Sequence, residues 1–349
     1  MPTEVKALQA TKKGDFNSFE RTTIIRRDLR PDDVAIDIKY CGICHSDVSM
    51  VQWQGQHFPM IPGHEIAGIV TAVGDQVTDF KPGDRVGVGC LVNSCGECPA
   101  CKSGNEQFCE KGSIIVFDSE DYDGGVTQGG YAQSIVVKDR FVLHIPDKMS
   151  LADAAPLLCA GITTFSPLQR FNIGKGDEVA IIGMGGLGHI AVQFASKMGA
   201  NVTVLGHSEA KRDEAAKFGA NSYEVMKSAA DFERLAGKFD FILNTIAVNL
   251  DLDSYLKLLS FEGTLCYVGI PSDDQHFNLF SIFGNQGNIT ASNIGGIKPT
   301  QEMLNFAAEH DVKPQIEMIG IDDVPQAYQN ILDSKVRYRY VIDMSTLAD

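Results

Sequence analysis

The run Glu178-Val-Ala-Ile-Ile-Gly183-Met184-Gly185-Gly186-Leu187-Gly188 reads as an apolar strand, a tight glycine turn and the start of a helix. Glycines at those positions let backbone N–H groups approach a pyrophosphate at the helix N-terminus, which is the chemistry of dinucleotide binding. By themselves the glycines fit any tight turn; the strand before and the helix after give them this meaning. Further along, Val202-Thr-Val-Leu reads as the next strand and Glu209 opens the next helical stretch. Phe239-Asp-Phe-Ile-Leu and Thr264-Leu-Cys-Tyr-Val then flank a third helical stretch near 250–259. Strands alternating with helices spell a parallel sheet with right-handed crossovers.

Upstream the pattern differs. From 34 to about 146 it is short, alternating and punctuated by glycine, as in Val34-Ala-Ile-Asp-Ile-Lys-Tyr and Tyr131-Ala-Gln-Ser-Ile-Val-Val, so an all-β module is expected. Downstream come a helix over 300–310 and Tyr338-Arg-Tyr-Val-Ile-Asp, a strand with no βαβ partner that could return to the first module. No repeat of solenoid period is present.

The 349 residues are about two domains' worth at ~150 residues each. Thirty Lys plus Arg against forty-five Asp plus Glu leave a formal charge of −15 with no basic stripe, which argues against nucleic acid or an anionic membrane as partner. The apolar stretch Val179 to Leu205 is interrupted by glycines, Gln193 and Lys197, so no transmembrane helix is expected there. No export signal is legible at the N-terminus, and a cytosolic location is expected. Nine cysteines, five of them between Cys90 and Cys109, read as metal binding rather than disulfides.

Cys95-Gly-Glu-Cys98-Pro-Ala-Cys101 followed by Cys109 offers four thiolates at the reach of a closed tetrahedral zinc site, hence a structural one. Spacing alone leaves iron open. Cys44-His45-Ser46-Asp47 and Gly63-His64-Glu65 each carry metal-ligand side chains. Taken alone, a Cys and a His some twenty residues apart fit a core thiol and a surface imidazole equally well. Their neighbours add weight: Asp47 could orient an imidazole and Glu65 could be a further ligand. Cys159 is a third candidate ligand, although a lone cysteine in an apolar run is ordinarily core packing.

An NAD-selecting carboxylate would end the second strand of the sheet. Here that strand ends in Gly206-His207-Ser208 with Lys211 and Arg212 beyond, which suits a ribose 2′-phosphate and so NADP over NAD. The plain alternative for Lys211 and Arg212 is a solvated helix face.

These motifs resemble the zinc-dependent medium-chain alcohol dehydrogenases, and among them the cinnamyl-alcohol-dehydrogenase-like NADP-dependent aldehyde reductases. The resemblance rests on Cys41-Gly-Ile-Cys44-His-Ser-Asp47, Pro62-Gly-His64-Glu65 with Gly68 and Gly74, the Cys95 to Cys109 lobe, Pro156-Leu-Leu-Cys159-Ala-Gly-Ile-Thr163, and Gly183 to Gly188. It covers essentially the whole chain. It implies an α/β plus β architecture: a GroES-like β-barrel catalytic domain, 1–153 completed by 293–349, with a Rossmann doubly wound parallel-sheet domain, 154–292, inserted. It implies two zinc ions, a catalytic one on Cys44, His64 and Cys159 with Glu65 able to join or exchange, and a structural one on Cys95, Cys98, Cys101 and Cys109.

For NADP(H) the resemblance implies contacts from Ser46, Thr163, the turn Gly183, Met184, Gly185, Gly186, Leu187 and Gly188, then Gly206, His207, Ser208, Lys211, Arg212, Thr245, Gly269, Ser292, Asn293 and Ile294. Ser46 is implied as the first proton donor to the alcohol oxygen. The implied activity is hydride transfer between NADP(H) and an aldehyde or primary alcohol, aromatic or medium-chain, mainly as an aldehyde reductase. Trp53, His57 and Phe58 are candidates for the substrate-pocket wall, and a homodimer is implied. One position departs from the family: Ser49 stands where many relatives carry a proton-relay histidine, and a serine cannot hold a proton near neutral pH. His45 and His57 could substitute. The rival readings are a polyol or sugar dehydrogenase on the same scaffold, and a catalytically silent zinc- and nucleotide-binding scaffold.

Overall fold

A computed structural model describes residues 3–271 and 273–347. The chain divides into two compact units, Met1–Ile162 with Gly295–Asp349, and Thr163–Ile294. The sequence reading put the joints after residues 153 and 292. The first joint falls later because Leu151–Pro156, the opening turns of the helical run Leu151–Arg170, packs on strands Asp33–Ile43 and Ile66–Val73 of the first unit. That run is long and apolar enough to cross a membrane, but 78% of its apolar window is buried inside the fold, as expected of a core helix.

In the first unit the strand Asp33–Ile43 is the hub. It pairs antiparallel with Ile66–Val73, Ser134–Lys138 and Arg339–Asp343. Its alternating side chains put Val34, Ile36 and Ile38 into the core, the period-2 pattern that sequence alternation announces. Arg339–Asp343 is the strand left without a partner in the sequence reading. It returns to this module, antiparallel to Tyr40–Ile43 and parallel to Ile316–Ile319. A hairpin, Thr3–Ala10 with Phe19–Arg26, joins the module through Leu8 N–H to Tyr131 O and through paired bonds between Ala10 and Met60. Buried Arg26 donates to the carbonyls of Gln128, Gly129 and Ser134, each at 2.8 Å, fixing the stretch 128–134.

The second unit holds one six-stranded parallel sheet in the order Ser222–Val225, Asn201–Gly206, Glu178–Ile182, Phe239–Asn244, Leu259–Tyr267, Asn288–Ala291. This is the doubly wound order, in which winding reverses on either side of Glu178–Ile182. The central strands are buried, which is why they read as unbroken apolar runs. Two details differ from the sequence reading. The helix near 250–259 is only Leu252–Leu256, because Leu259 already pairs with Phe239 and starts the next strand. The edge strands Ser222–Val225 and Asn288–Ala291 were not legible, because four residues each are too few for their alternation to stand out.

Candidate active site and metal centres

Cys44 is the N-cap of the short helix His45–Ser49, directly after the hub strand. Asp47 lies in its first turn, fully buried, and its carboxylate reaches back to accept the Cys44 N–H at 2.8 Å. The other oxygen accepts Gly63 N–H at 3.1 Å and the Nδ1–H of His64 at 2.8 Å. With Nδ1 so occupied, Nε2 is the nitrogen left to bind a cation. Burial disfavours the charged ring, but Asp47 with the Cys90 and Cys44 sulphurs outweighs it and holds His64 well above the usual histidine range. Phe117 stacks on the same ring, centroids 6.0 Å apart.

Cys159 lies in the π-helical segment Leu157–Gly161, a widened turn of the kind that re-aims side chains at functional sites. Its Sγ is 3.8 Å from Cys44 Sγ, and this contact between the two sulphurs drives the Cys44 thiol well down and Cys159 well up. Although the sequence division assigned Cys159 to the dinucleotide-binding domain, it belongs to the same compact unit as Cys44, His64 and Glu65. One ligand atom from each of these four residues lies within 4.8 Å of the other three.

Glu65 is wholly buried. One oxygen pairs with Arg339 of the C-terminal strand, while Oε2 has no partner. Burial, only partly offset by Arg339, pushes its carboxyl up to about 8. Arg339 is itself buried; burial works against its charge, yet Glu65, Cys44 and Cys159 hold it firmly protonated. Two sulphurs, an imidazole and an orphaned carboxylate oxygen converging in a buried space form a donor set that suits zinc. Sequence reasoning missed Arg339; its only signal was a cation inside a strand that otherwise reads as buried.

Cys95, Cys98, Cys101 and Cys109 also converge, every sulphur within 4.8 Å of the others. Backbone N–H groups of Glu97 and Cys98 point at Cys95 Sγ at 3.4 Å, and Cys95 N–H points at Cys109 Sγ at 3.3 Å. Burial disfavours a thiolate at Cys109, but the Cys95 and Lys111 N–H groups draw it down to about 6. Donors aimed at sulphur fit four thiolates around one cation and leave no open position.

In the second unit the glycine turn joins Glu178–Ile182 to the eleven-residue helix Gly188–Met198. Gly183 has φ +85°, and a Cβ on Gly188 would run into the Gly183 carbonyl. A Cβ on Gly185 would meet nothing within 4 Å, so the turn is open on the side where a pyrophosphate would lie. Thr245 Oγ1 donates to Ile182 O at 2.8 Å, placing it beside the turn at the sheet's switch point. Lys211 Nζ donates to Met184 O at 2.5 Å, on the turn itself, and Tyr223 OH fixes Ser208 through its carbonyl at 2.8 Å. Gly206 ends the second strand with His207 and Ser208 after it, and Gly269 and Ser292 follow the fifth and sixth.

Arg212 is committed elsewhere, paired through both faces of its fork with Glu209 and stacked over Tyr223. Glu209 is a carboxylate that the sequence reading passed over, and this pairing neutralises it. Thr163 is buried in this unit. Ser46, in the first unit, is exposed with Oγ 3.7 Å from Cys44 Sγ. Trp53 is 55% exposed and is therefore no core residue. A recess of about 820 Å³ on the first unit, walled by Asp37, Lys39, Tyr40 and Asp343, involves none of the candidate residues.

Residues 30–147 match the alcohol dehydrogenase GroES-like domain, and residues 186–309 match the zinc-binding dehydrogenase domain. The chain is 57% identical to the probable formaldehyde dehydrogenase AdhA of Bacillus subtilis, over 94% of this chain and 95% of that protein. The chain belongs to the zinc-dependent medium-chain alcohol dehydrogenases. This dehydrogenase is also 51% identical to NADP-dependent alcohol dehydrogenase C 1 of Mycolicibacterium smegmatis, over 94% and 95% of the two chains. The structure of a cinnamyl alcohol dehydrogenase from Helicobacter pylori complexed with NADP(H) superposes with a TM-score of 0.90 at 40% identity, covering 99% of each chain.

Replacing Arg339 by Met leaves the Glu65 carboxylate buried without its cation, and the variant is expected to lose about 3–5 kcal/mol of unfolding free energy in urea. The double variant with Glu65→Gln recovers most of that loss if the ion pair is the cause.

Proposed function

We propose that the chain transfers hydride between NADP(H) and an aldehyde/primary-alcohol pair, acting mainly as a reductase of aromatic or medium-chain aldehydes. The observation that carries the reading is the convergence of Cys44, His64, Cys159 and the unpartnered Glu65 oxygen in the unit that also carries Ser46. Cys44, His64 and Cys159 would hold a zinc ion, with Glu65 within reach of it, and the four-cysteine lobe would hold a second. When bound, the first zinc supplies Lewis-acid polarisation of a carbonyl and the reduced nicotinamide supplies the hydride.

The protein's own share is to hold and move. Asp47 locks the His64 tautomer and the start of the Cys44 helix, so two donors keep their places together. Arg339 holds Glu65 back by one oxygen and leaves the other to the cation. The Ser46 hydroxyl, beside a ligand sulphur and open to solvent, both donates and accepts, so it can hand a proton to the product oxygen and be refilled. Lys211 on the glycine turn and Ser208 at the strand end support a 2′-phosphate, hence NADP; Arg212, tied to Glu209, contributes less than its position in the sequence suggested. Exposed Trp53, with Phe58, would form an apolar wall suited to aromatic aldehydes.

We infer a homodimer as well. Ile270, Leu279, Phe280 and Phe283 are all at least 71% exposed, close in sequence to the edge strand Asn288–Ala291 of the parallel sheet, a combination that a second copy would cover. A cytosolic location accords with this chemistry.

The test is NADPH oxidation by the purified protein over a panel of aldehydes, before and after a zinc chelator. Chelator-sensitive turnover, strongest on aromatic aldehydes and weaker with NADH, is expected; turnover of sorbitol above benzaldehyde would favour a polyol dehydrogenase. Ser46→Ala is expected to lower kcat by about 100-fold or more with the NADPH dissociation constant unchanged. Retained turnover removes Ser46 from the proton path.

A further inference from the structure

Each aldehyde reduced takes up one proton, and the hydroxyls of Ser46 and Ser49 can pass that proton without storing it near neutral pH. Histidine is the side chain that ordinarily changes charge between about pH 5 and 8. The segment from Cys44 to Glu65 holds three. His64 is engaged by Asp47. His45 is exposed on the first turn of its helix and makes no hydrogen bond among the described residues. His57 differs from both.

The His57 ring donates from Nδ1 to Asp118 Oδ1 at 3.0 Å. The Asp118 carboxylate is 1% exposed, while the His57 side chain is 42% exposed. Asp118 also accepts the backbone N–H groups of Gln56 and His57, at 2.9 and 2.7 Å, and sits at φ +57°, a conformation aspartate tolerates. Those two bonds would clamp the loop without any imidazole; the contact to Nδ1 is additional. It fixes the tautomer and leaves Nε2 as the exchanging nitrogen. Asp118 is the ionisable group within hydrogen-bond reach of the ring. The residue before it, Phe117, is the one stacked on His64. Asp118, the anchor of His57, is therefore the chain neighbour of the residue whose ring packs against the metal-ligand cluster, with their Cα atoms ~3.8 Å apart.

We propose that the His57–Asp118 pair is the solvent-end proton carrier of the reaction, in the role that Ser49 cannot fill; this rests on the function proposed above. In reduction, His57 imidazolium gives its Nε2 proton through hydroxyl groups and water to Ser46. The Ser46 proton goes to the carbonyl-derived oxygen, while a bound reduced nicotinamide would supply the hydride for the new C–H bond and so be oxidised. The carbonyl π bond is lost, and the neutral imidazole takes its next proton from solvent. Asp118 is a positioning residue that orients His57 and stabilises the imidazolium.

The test compares the wild type with His57→Gln and Asp118→Asn in the full-length, zinc-loaded enzyme. In the wild type, kcat for aldehyde reduction is expected to fall as pH rises through the neutral range. His57→Gln is expected to flatten that break and lower kcat by roughly 10- to 100-fold, with KM for NADPH unchanged and free imidazole restoring turnover. Nitrogen-15 NMR of the imidazoles, which needs no turnover, is expected to show His57 as the Nδ1–H tautomer in the wild type and as a tautomer mixture in Asp118→Asn. A His57→Gln enzyme with kcat within twofold of wild type and the same pH break overturns the proposal. So does a loss of thermal stability and kcat that imidazole does not rescue, which would make the pair a loop clamp. A wild-type enzyme inactive on every aldehyde would instead sink the functional reading and this proposal with it.

Discussion

The Asp47 carboxylate accepts N–H donors from three residues in two separate stretches: Cys44, the cap of its own helix, and Gly63 and His64 from a loop sixteen residues on. Because it is fully buried, none of these bonds competes with water, and each missing donor would leave an uncompensated charge. The geometry of the ligand cluster follows from this one side chain. It sets where the Cys44 sulphur leaves the hub strand and which His64 nitrogen is free. Ser46 and Ser49 ride on the same helix, so the proposed proton path would be positioned by the group that positions the proposed metal ligands.

A second constraint comes from the far end of the chain. Glu65 neighbours His64 in sequence and is pushed toward its neutral form by burial, a push that is partly offset by Arg339, which arrives on a strand hydrogen-bonded to the hub strand. The first module cannot be finished by its own N-terminal residues, and the chain must come back after the parallel-sheet unit to supply both an inner strand and the counter-charge. This is the physical reason for the interrupted arrangement, in which residues up to 162 and from 295 form one compact unit.

The fold was legible wherever burial leaves a periodic trace. The runs Glu178–Ile182, Phe239–Asn244 and Asp33–Ile43 read correctly because covered strands must be apolar and half-covered ones must alternate. Ser222–Val225 and Asn288–Ala291 were missed because four residues of alternation are too short to stand out, and Leu252–Leu256 was overextended because the apolar run continues through Leu258 and Leu259 into the next strand. At the site, the four-cysteine lobe was readable from spacing, whereas Cys44, His64 and Cys159 were ambiguous until a family pattern singled them out. Arg339 and Asp118 were beyond reach: their partners lie 274 and 61 residues away, and pairings at such separations leave no local signal. Glu209 shows the reverse error, a visible carboxylate passed over, whose effect is cancelled by Arg212 three residues later.

In the proposed function, Cys44, His64 and Cys159 hold a working zinc and the four-cysteine lobe holds a structural one. Zinc stoichiometry of the wild type and of Cys159→Ser, measured beside their NADPH-dependent turnover, tests it most directly. Two zinc ions per chain are expected to fall to one, with turnover lost while the protein stays folded. Two zinc ions retained in Cys159→Ser, or undiminished turnover with one, would contradict it.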